Sequence, residues 1–287
     1  MKNIETFYPL SPLQKGLLFH SLASPNSGLY FQQMNCFLRG KFDAGAWGKA
    51  WQSLVDLHPI LRTSFVWEKV QEPIQVVHRE VKLQINEQDW RAFNAIEQKA
   101  KSAEYLREDR RRGFSVSHAP LMRHALLRMS DDAYMWVWSH HHLLLDGWSV
   151  QVLADQIFEF YEGYVKNEPV RLAPSRPYKD YIAWLVHKDL ASAERFWRST
   201  LSGFAHANLL SDVRESSLAD GNEEEHADET IELSVAETES LQTFARQHQL
   251  TLSTLAQAAW ALILQRDRKS TRLNSSHVSL SRMPSSA

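Results

Sequence analysis

Two hydrophobic periods alternate along the first two thirds of the chain. Ser11-Pro12-Leu13-Gln14 has a capping residue, proline at the first helical position and Gln three after the cap, so a helix is expected over LQKGLLFHSL to about Leu22. LYFQQMNCFLRG (29–40) alternates as a strand does. Trp47, Ala50, Trp51, Leu54 and Leu57 return to helical spacing, with Pro59 as a stop. Strands are then expected at 60–68 and 72–83, a charged helix at 90–112, and a strand pair at 119–129 and 133–141 around a Ser-Asp-Asp turn. From Ser149 the chain turns helical again, with Val150, Leu153, Ile157, Phe160, Tyr161 and Tyr164 on one face.

The three prolines of NEPVRLAPSRP (167–177) suggest a lobe boundary, giving an N-terminal lobe over 1–170 and a second, partial lobe over 171–267. Beyond it the pattern predicts two short helices in YKDYIAWLVHKDLASAERFWRSTLSG, an acidic exposed loop over 205–229, a strand at TIELSV, and helices at about 236–247 and 252–265. Strands that alternate with helices and also follow one another directly make this an α/β or α+β layered fold. The segment 268–287, RKSTRLNSSHVSLSRMPSSA, holds seven serines, four basic residues and no acid or apolar period. It reads as non-native read-through or a disordered tail, set apart from the fold. On that reading the natural protein continues past Arg266, and this chain is a fragment.

Composition narrows the function classes. The net charge is −2, and −6 without the basic tail, so nothing points to nucleic acid or an anionic membrane as partner. Cys36 is the sole cysteine, which excludes an intramolecular disulfide and a cysteine metal cage. No run is apolar for about 18 residues and the N-terminus lacks a signal-peptide core, so a cytoplasmic protein is expected.

The chemistry concentrates at SHHHLLLDGWS (139–149). If the strand runs through the histidines, His140 and His142 share one face and His141 takes the other. Each imidazole brings two ring nitrogens that need partners, so three in a row require a reason. Four readings stay open on the residues alone. They are core histidines with Asp146 capping a helix, a metal site lacking any visible third ligand, a general base, and a binding site of the same shape without chemistry. In the third, Asp146 orients the ring or anchors the loop through a cation elsewhere, and Gly147 permits a conformation or close approach that a Cβ would block.

HHLLLDG (141–147) resembles the HHxxxDG motif of the condensation domains of nonribosomal peptide synthetases, members of the chloramphenicol-acetyltransferase-like superfamily. SPLQKGLLFH (11–20) resembles the family's first motif. HPILRTSF (58–65) resembles its second, RHExLRTxF, with Leu57, His58 and Pro59 in place of RHE. YKDYIAW (178–184) and FWRSTLSG (196–203) resemble two later segments in the same order, so the resemblance covers residues 4–266. It implies a two-lobed fold, complete in its N-terminal lobe and partial in its C-terminal one.

It also implies an acyltransferase that joins an upstream acyl or peptidyl thioester to the amine of a downstream aminoacyl thioester. Both are carried on the phosphopantetheine arms of carrier domains, with an adenylation domain in the same natural polypeptide, no metal and no cofactor bound directly. By the same resemblance His142 is the catalytic histidine and His141 supports it. Asp146 pairs with Arg62 to hold the loop, and Gly147 keeps the loop tight and offers its N–H to the reacting carbonyl. The later motifs that close the family's tunnel are absent, so the chain by itself is expected to be inactive. A stand-alone acyltransferase of the same superfamily and a non-catalytic docking or scaffold module are the alternatives.

Overall fold

Helix entry is set by side chains in several elements of the computed structural model, which describes residues 3–25, 27–172, 175–204 and 230–267. The expected capping box at Ser11 and Gln14 is present and opens α1 (Pro12–Ala23). Asp43 caps α2 (Ala44–Leu57) by accepting from the Ala46 N–H. A second capping box, Asn94 with Glu97, opens α3 (Ala95–Arg112), which therefore starts five residues later than the charge pattern suggests.

Two sheets carry the core. One is a three-stranded antiparallel sheet in the order β1 (Ile4–Pro9), β4 (Ile74–His78), β3 (Thr63–Val66). The other has four strands in the order β2 (Phe31–Arg39), β7 (Ala133–His141), β6 (Met122–Ser130), β5 (Ile85–Asp89). Its strands pair antiparallel except β5, which runs parallel to β6. β7 lies between β2 and β6, and its buried alternation sorts the core into two layers. Trp136 and Trp138 face Trp47, Trp51 and Leu54 of α2 and Leu153 and Ile157 of α4 (Gly147–Lys166). Met135 and Val137 face the opposite way and pack with Trp90, Ala125 and Leu127.

Several expectations shift. Pro59–Arg62 forms a short 3-10 turn, so β3 begins at Thr63 and not at Ile60. The strand expected over 72–83 shortens to β4 because the chain leaves the sheet at Arg79. β1 and β5 had no clear alternation: each places one face toward solvent and is recruited by a stronger neighbour. Helix α4 starts at Gly147, two residues before Ser149.

The two helices expected after the prolines are α5 (Tyr178–Val186) and α6 (Leu190–Thr200). The chain divides into compact units at 1–224 and 225–287, so the proline segment, α5 and α6 all fall within the first unit. α5 packs beside β1 and buries Ile182. In the second unit the strand expected at TIELSV does not form among the described residues: 230–234 carry no regular structure and lead through the Ser234 capping box into α7 (Val235–Gln247) and then α8 (Leu252–Asp267). The loop expected at 205–229 and the segment 268–287 lie outside the described residues.

Candidate active site

β7 ends at His141, which pairs in register with Phe31, so strand alternation governs His140 and His141 and stops there. His140 goes to the tryptophan face, its ring 4.8 Å from that of Trp138. His141 goes to the other face, near Tyr30 and Ser21. His142 is the first residue beyond the strand, and its backbone N–H donates to the Tyr30 carbonyl at 2.8 Å. Tyr30 holds φ at 61°, a left-handed conformation that a bulky side chain rarely adopts, and this brings its carbonyl to the histidine turn. No motif or alternation in the sequence marks Tyr30 for that role.

The hydrogen bonds assign the protons on two imidazoles. Leu143 N–H donates to His141 Nδ1 at 3.1 Å, so that nitrogen is bare and the proton sits on Nε2, 3.3 Å from Ser21 Oγ. Both nitrogens of His141 are thereby engaged, and the ring is buried. For His142 the order reverses. Its Nδ1 lies 2.6 Å from the Leu145 carbonyl oxygen, which can only accept. The proton of neutral His142 therefore sits on Nδ1, and Nε2 carries the free lone pair. The ring is half-buried, whereas the Leu143, Leu144 and Leu145 side chains that follow it are buried.

Asp146 and Arg62 do not form the expected pair. The Asp146 carboxylate caps α4, with Oδ1 accepting from Ser149 N at 2.8 Å and Ser149 Oγ at 2.6 Å. These bonds hold its pKa below the ordinary carboxylate value. The residue is exposed and needs no buried cation. Arg62 is buried instead against β1 and the end of β4, donating to Glu5 Oε2 at 2.6 Å, Val55 O at 3.0 Å and Arg79 O at 3.2 Å, and also to His78 O. At Gly147 φ is not positive, and a Cβ added there meets no atom of the described residues within 4 Å apart from its chain neighbours and its own helix backbone. Its space opens away from the protein's own packing. Among the described residues no group of three potential ligands is placed to hold a metal ion.

The neighbouring histidines are kept neutral. Burial, and next to it the adjacent His142, push His141 down to about 4 from an ordinary 6.5. Burial followed by His142 and His141 takes His140 to about 4, and burial followed by His140 takes His124 to about 3. All three folded-state values lie below the unfolded one, so the stability they contribute is complete above about pH 6.5 and falls as pH drops toward 4. Each proton taken up only by the unfolded chain changes stability by ~1.4 kcal/mol per pH unit. The urea midpoint is therefore expected to fall steeply between pH 6.5 and 4.5. A flat midpoint across that window contradicts buried neutral histidines.

The chain is 42% identical over 266 residues to one of the linear gramicidin synthase proteins of Brevibacillus parabrevis, a match covering 93% of the chain and 5% of that protein. It is 33% identical over 267 residues to surfactin synthase subunit 3 of Bacillus subtilis, covering 93% of the chain and 21% of that protein. The chain thus spans a small part of the length of the curated relatives it matches. Among solved structures, the starter condensation domain of the rhizomide synthetase superposes with a TM-score of 0.61 at 20% identity, over 68% of this chain and 50% of that one. A double variant of the same domain gives 0.64 at 17%, over 71% and 50%. These likenesses show the chloramphenicol-acetyltransferase-like fold. No helix among the described residues is long and apolar enough to cross a membrane. The condensation domain family model matches residues 4–282, a span that takes in the histidine turn and most of the serine-rich segment at 268–287. The chain belongs to the condensation domain family.

Proposed function

We propose that this chain carries the reacting centre of an amide-forming condensation between two thioesters, each presented on the phosphopantetheine arm of a carrier domain. The observation that carries this reading is the bond from His142 Nδ1 to the Leu145 carbonyl, which leaves Nε2 as a fixed, partly exposed base. The amine of the downstream aminoacyl thioester attacks the upstream acyl carbonyl, the C–N bond forms, and the C–S bond then breaks. Nε2 of His142 takes the proton that the attacking nitrogen loses and returns it to the departing thiolate. His141 supports the ring from behind, both of its nitrogens being occupied. Gly147 is the first residue of α4, where backbone N–H groups have no intrahelical acceptor, and its N–H suits the negative charge that develops on the carbonyl oxygen. Asp146 fixes the start of that helix.

The partners in this reading are the upstream and downstream carrier domains and an adenylation domain of the same polypeptide, in the cytoplasm. The substrates arrive on their carriers, and the reaction so written uses no cofactor bound to the chain itself. Because it spans half the length of the solved domains it matches, residues 1–287 alone are expected to turn over little. The test is mass-spectrometric detection of the amide product from loaded donor and acceptor carrier domains, with the chain alone and with the same residues inside a complete domain. Product only in the complete domain supports both statements. Equal turnover on coenzyme-A thioesters with a free small amine favours a stand-alone acyltransferase, and absence of product in both settings favours a docking module.

A further inference from the structure

The histidine turn is held from outside its own motif by two buried carboxamides. Gln14 is 5% exposed and Gln75 is fully buried, 61 residues apart in sequence. Gln14 Nε2 donates to the Leu143 carbonyl at 3.1 Å and toward Gln75 Oε1 at 3.4 Å. Gln14 Oε1 accepts from Ser11 N–H at 3.1 Å and from Gln75 Nε2 at 3.1 Å. The second proton of Gln75 Nε2 goes to the Pro9 carbonyl at 3.0 Å. The orientation of both amides is forced, because Ser11 N–H can only donate and the Leu143 and Pro9 carbonyls can only accept. All four hydrogen-bonding positions of Gln14 are filled.

This pair joins four pieces of backbone: the end of β1, the entry of α1, the middle of β4, and the turn that follows His142. A capping box needs only the Ser11–Gln14 bonds, and a strand position needs no polar side chain. Gln75 could be any apolar residue if it served packing alone, and it lies fully buried on β4 between Ile74 and Val76. Besides its bond to the Pro9 carbonyl, Gln75 acts through Gln14, whose amide N–H reaches the loop. Leu143 is thus fixed at both ends, its N–H on His141 Nδ1 and its carbonyl on Gln14. Two residues later the chain must present the Leu145 carbonyl to His142 Nδ1.

We infer that Gln75, acting through Gln14, is a positioning residue that holds the turn in the one shape in which His142 keeps its proton on Nδ1 and Nε2 bare. The importance of that shape rests on the proposed base role of His142, but the shape itself is measured without turnover.

The experiment is two-bond ¹H–¹⁵N correlation of the histidine side chains in residues 1–287. The parent is expected to show His142 as a single Nδ1–H tautomer. Gln75→Met keeps the volume and removes both donors, and His142 is expected to lose that single-tautomer pattern and show exchange between its two tautomers. Val77→Ala, on the same strand and fully buried, is the stability control and is expected to lower the melting temperature with the His142 pattern retained. A His142 tautomer unmoved by Gln75→Met overturns the inference, as does an equal loss in Val77→Ala. If Gln75→Met does not fold, the parent alone decides by hydrogen exchange. The Gln14 and Gln75 carboxamide protons are expected to exchange in one opening event with the Leu143 and Leu144 amides. Carboxamides that exchange far faster than those amides overturn it. Failure of the base role is read elsewhere, by condensation that survives loss of His142, so the two outcomes stay separate.

Discussion

His142→Ala in a complete synthetase is expected to reduce condensation by about 10²–10⁴-fold while the domain remains folded. The two effects separate because of where the ring sits. Its removal deletes one hydrogen bond, Nδ1 to the Leu145 carbonyl, at a half-buried position, a loss of ~1 kcal/mol. The backbone bond from His142 N–H to Tyr30 O survives any substitution short of proline. What disappears is the half-buried imidazole just beyond β7, whose proton sits on Nδ1 and whose Nε2 carries the lone pair.

His141→Ala is the instructive contrast. That ring is buried, accepts the Leu143 N–H and lies against Tyr30, so its loss empties a packed position and orphans a buried donor. Its first symptom is reduced stability and a disordered turn, with activity falling as a consequence. The pair is checked by carrier-loaded condensation rates beside circular-dichroism melts. Parent-like turnover by His142→Ala would remove the base role, whatever happened at position 141.

The core was readable because period and burial agree. Trp47, Trp51 and Leu54 lie on the inward stripe of α2, and β7 runs over the expected residues 133–141. The histidine turn was readable as a motif, since the strand, the turn and the capped helix follow in order. What escaped was whatever depends on contacts distant in sequence. The Arg62–Asp146 pair was expected from the family resemblance, yet Asp146 is exposed and satisfied three residues away by Ser149. The left-handed Tyr30 carries no local signal, since Gly28 two residues earlier is the residue such a turn advertises. Gln14 was legible as half of a capping box, and Gln75 as one polar position in a strand. Their meeting across 61 residues belongs to the tertiary fold alone.

The second large effect falls on Arg62. Its side chain is 7% exposed and reaches Glu5 Oε2 together with the carbonyls of Val55, His78 and Arg79. The Glu5 carboxylate is 40% exposed, so solvent screens much of the ion pair itself, and the guanidinium–carbonyl bonds carry more of the stability. Arg62→Ala leaves those buried carbonyls without donors and opens the seam between α2 and β4. A loss of about 3–5 kcal/mol is expected, read as a lower urea midpoint with an unchanged slope.

Asp146→Ala removes only a helix cap at an exposed site and is expected to cost ~1 kcal/mol. The double mutant settles whether the two residues communicate. Without a shared partner their effects should add to within about 0.5 kcal/mol, whereas Glu5→Ala combined with Arg62→Ala should fall clearly short of additive. Strong coupling between Arg62 and Asp146, with none between Arg62 and Glu5, would mean that the loop is anchored through the arginine after all. The cap at Ser149 would then be the weaker of two states available to that carboxylate.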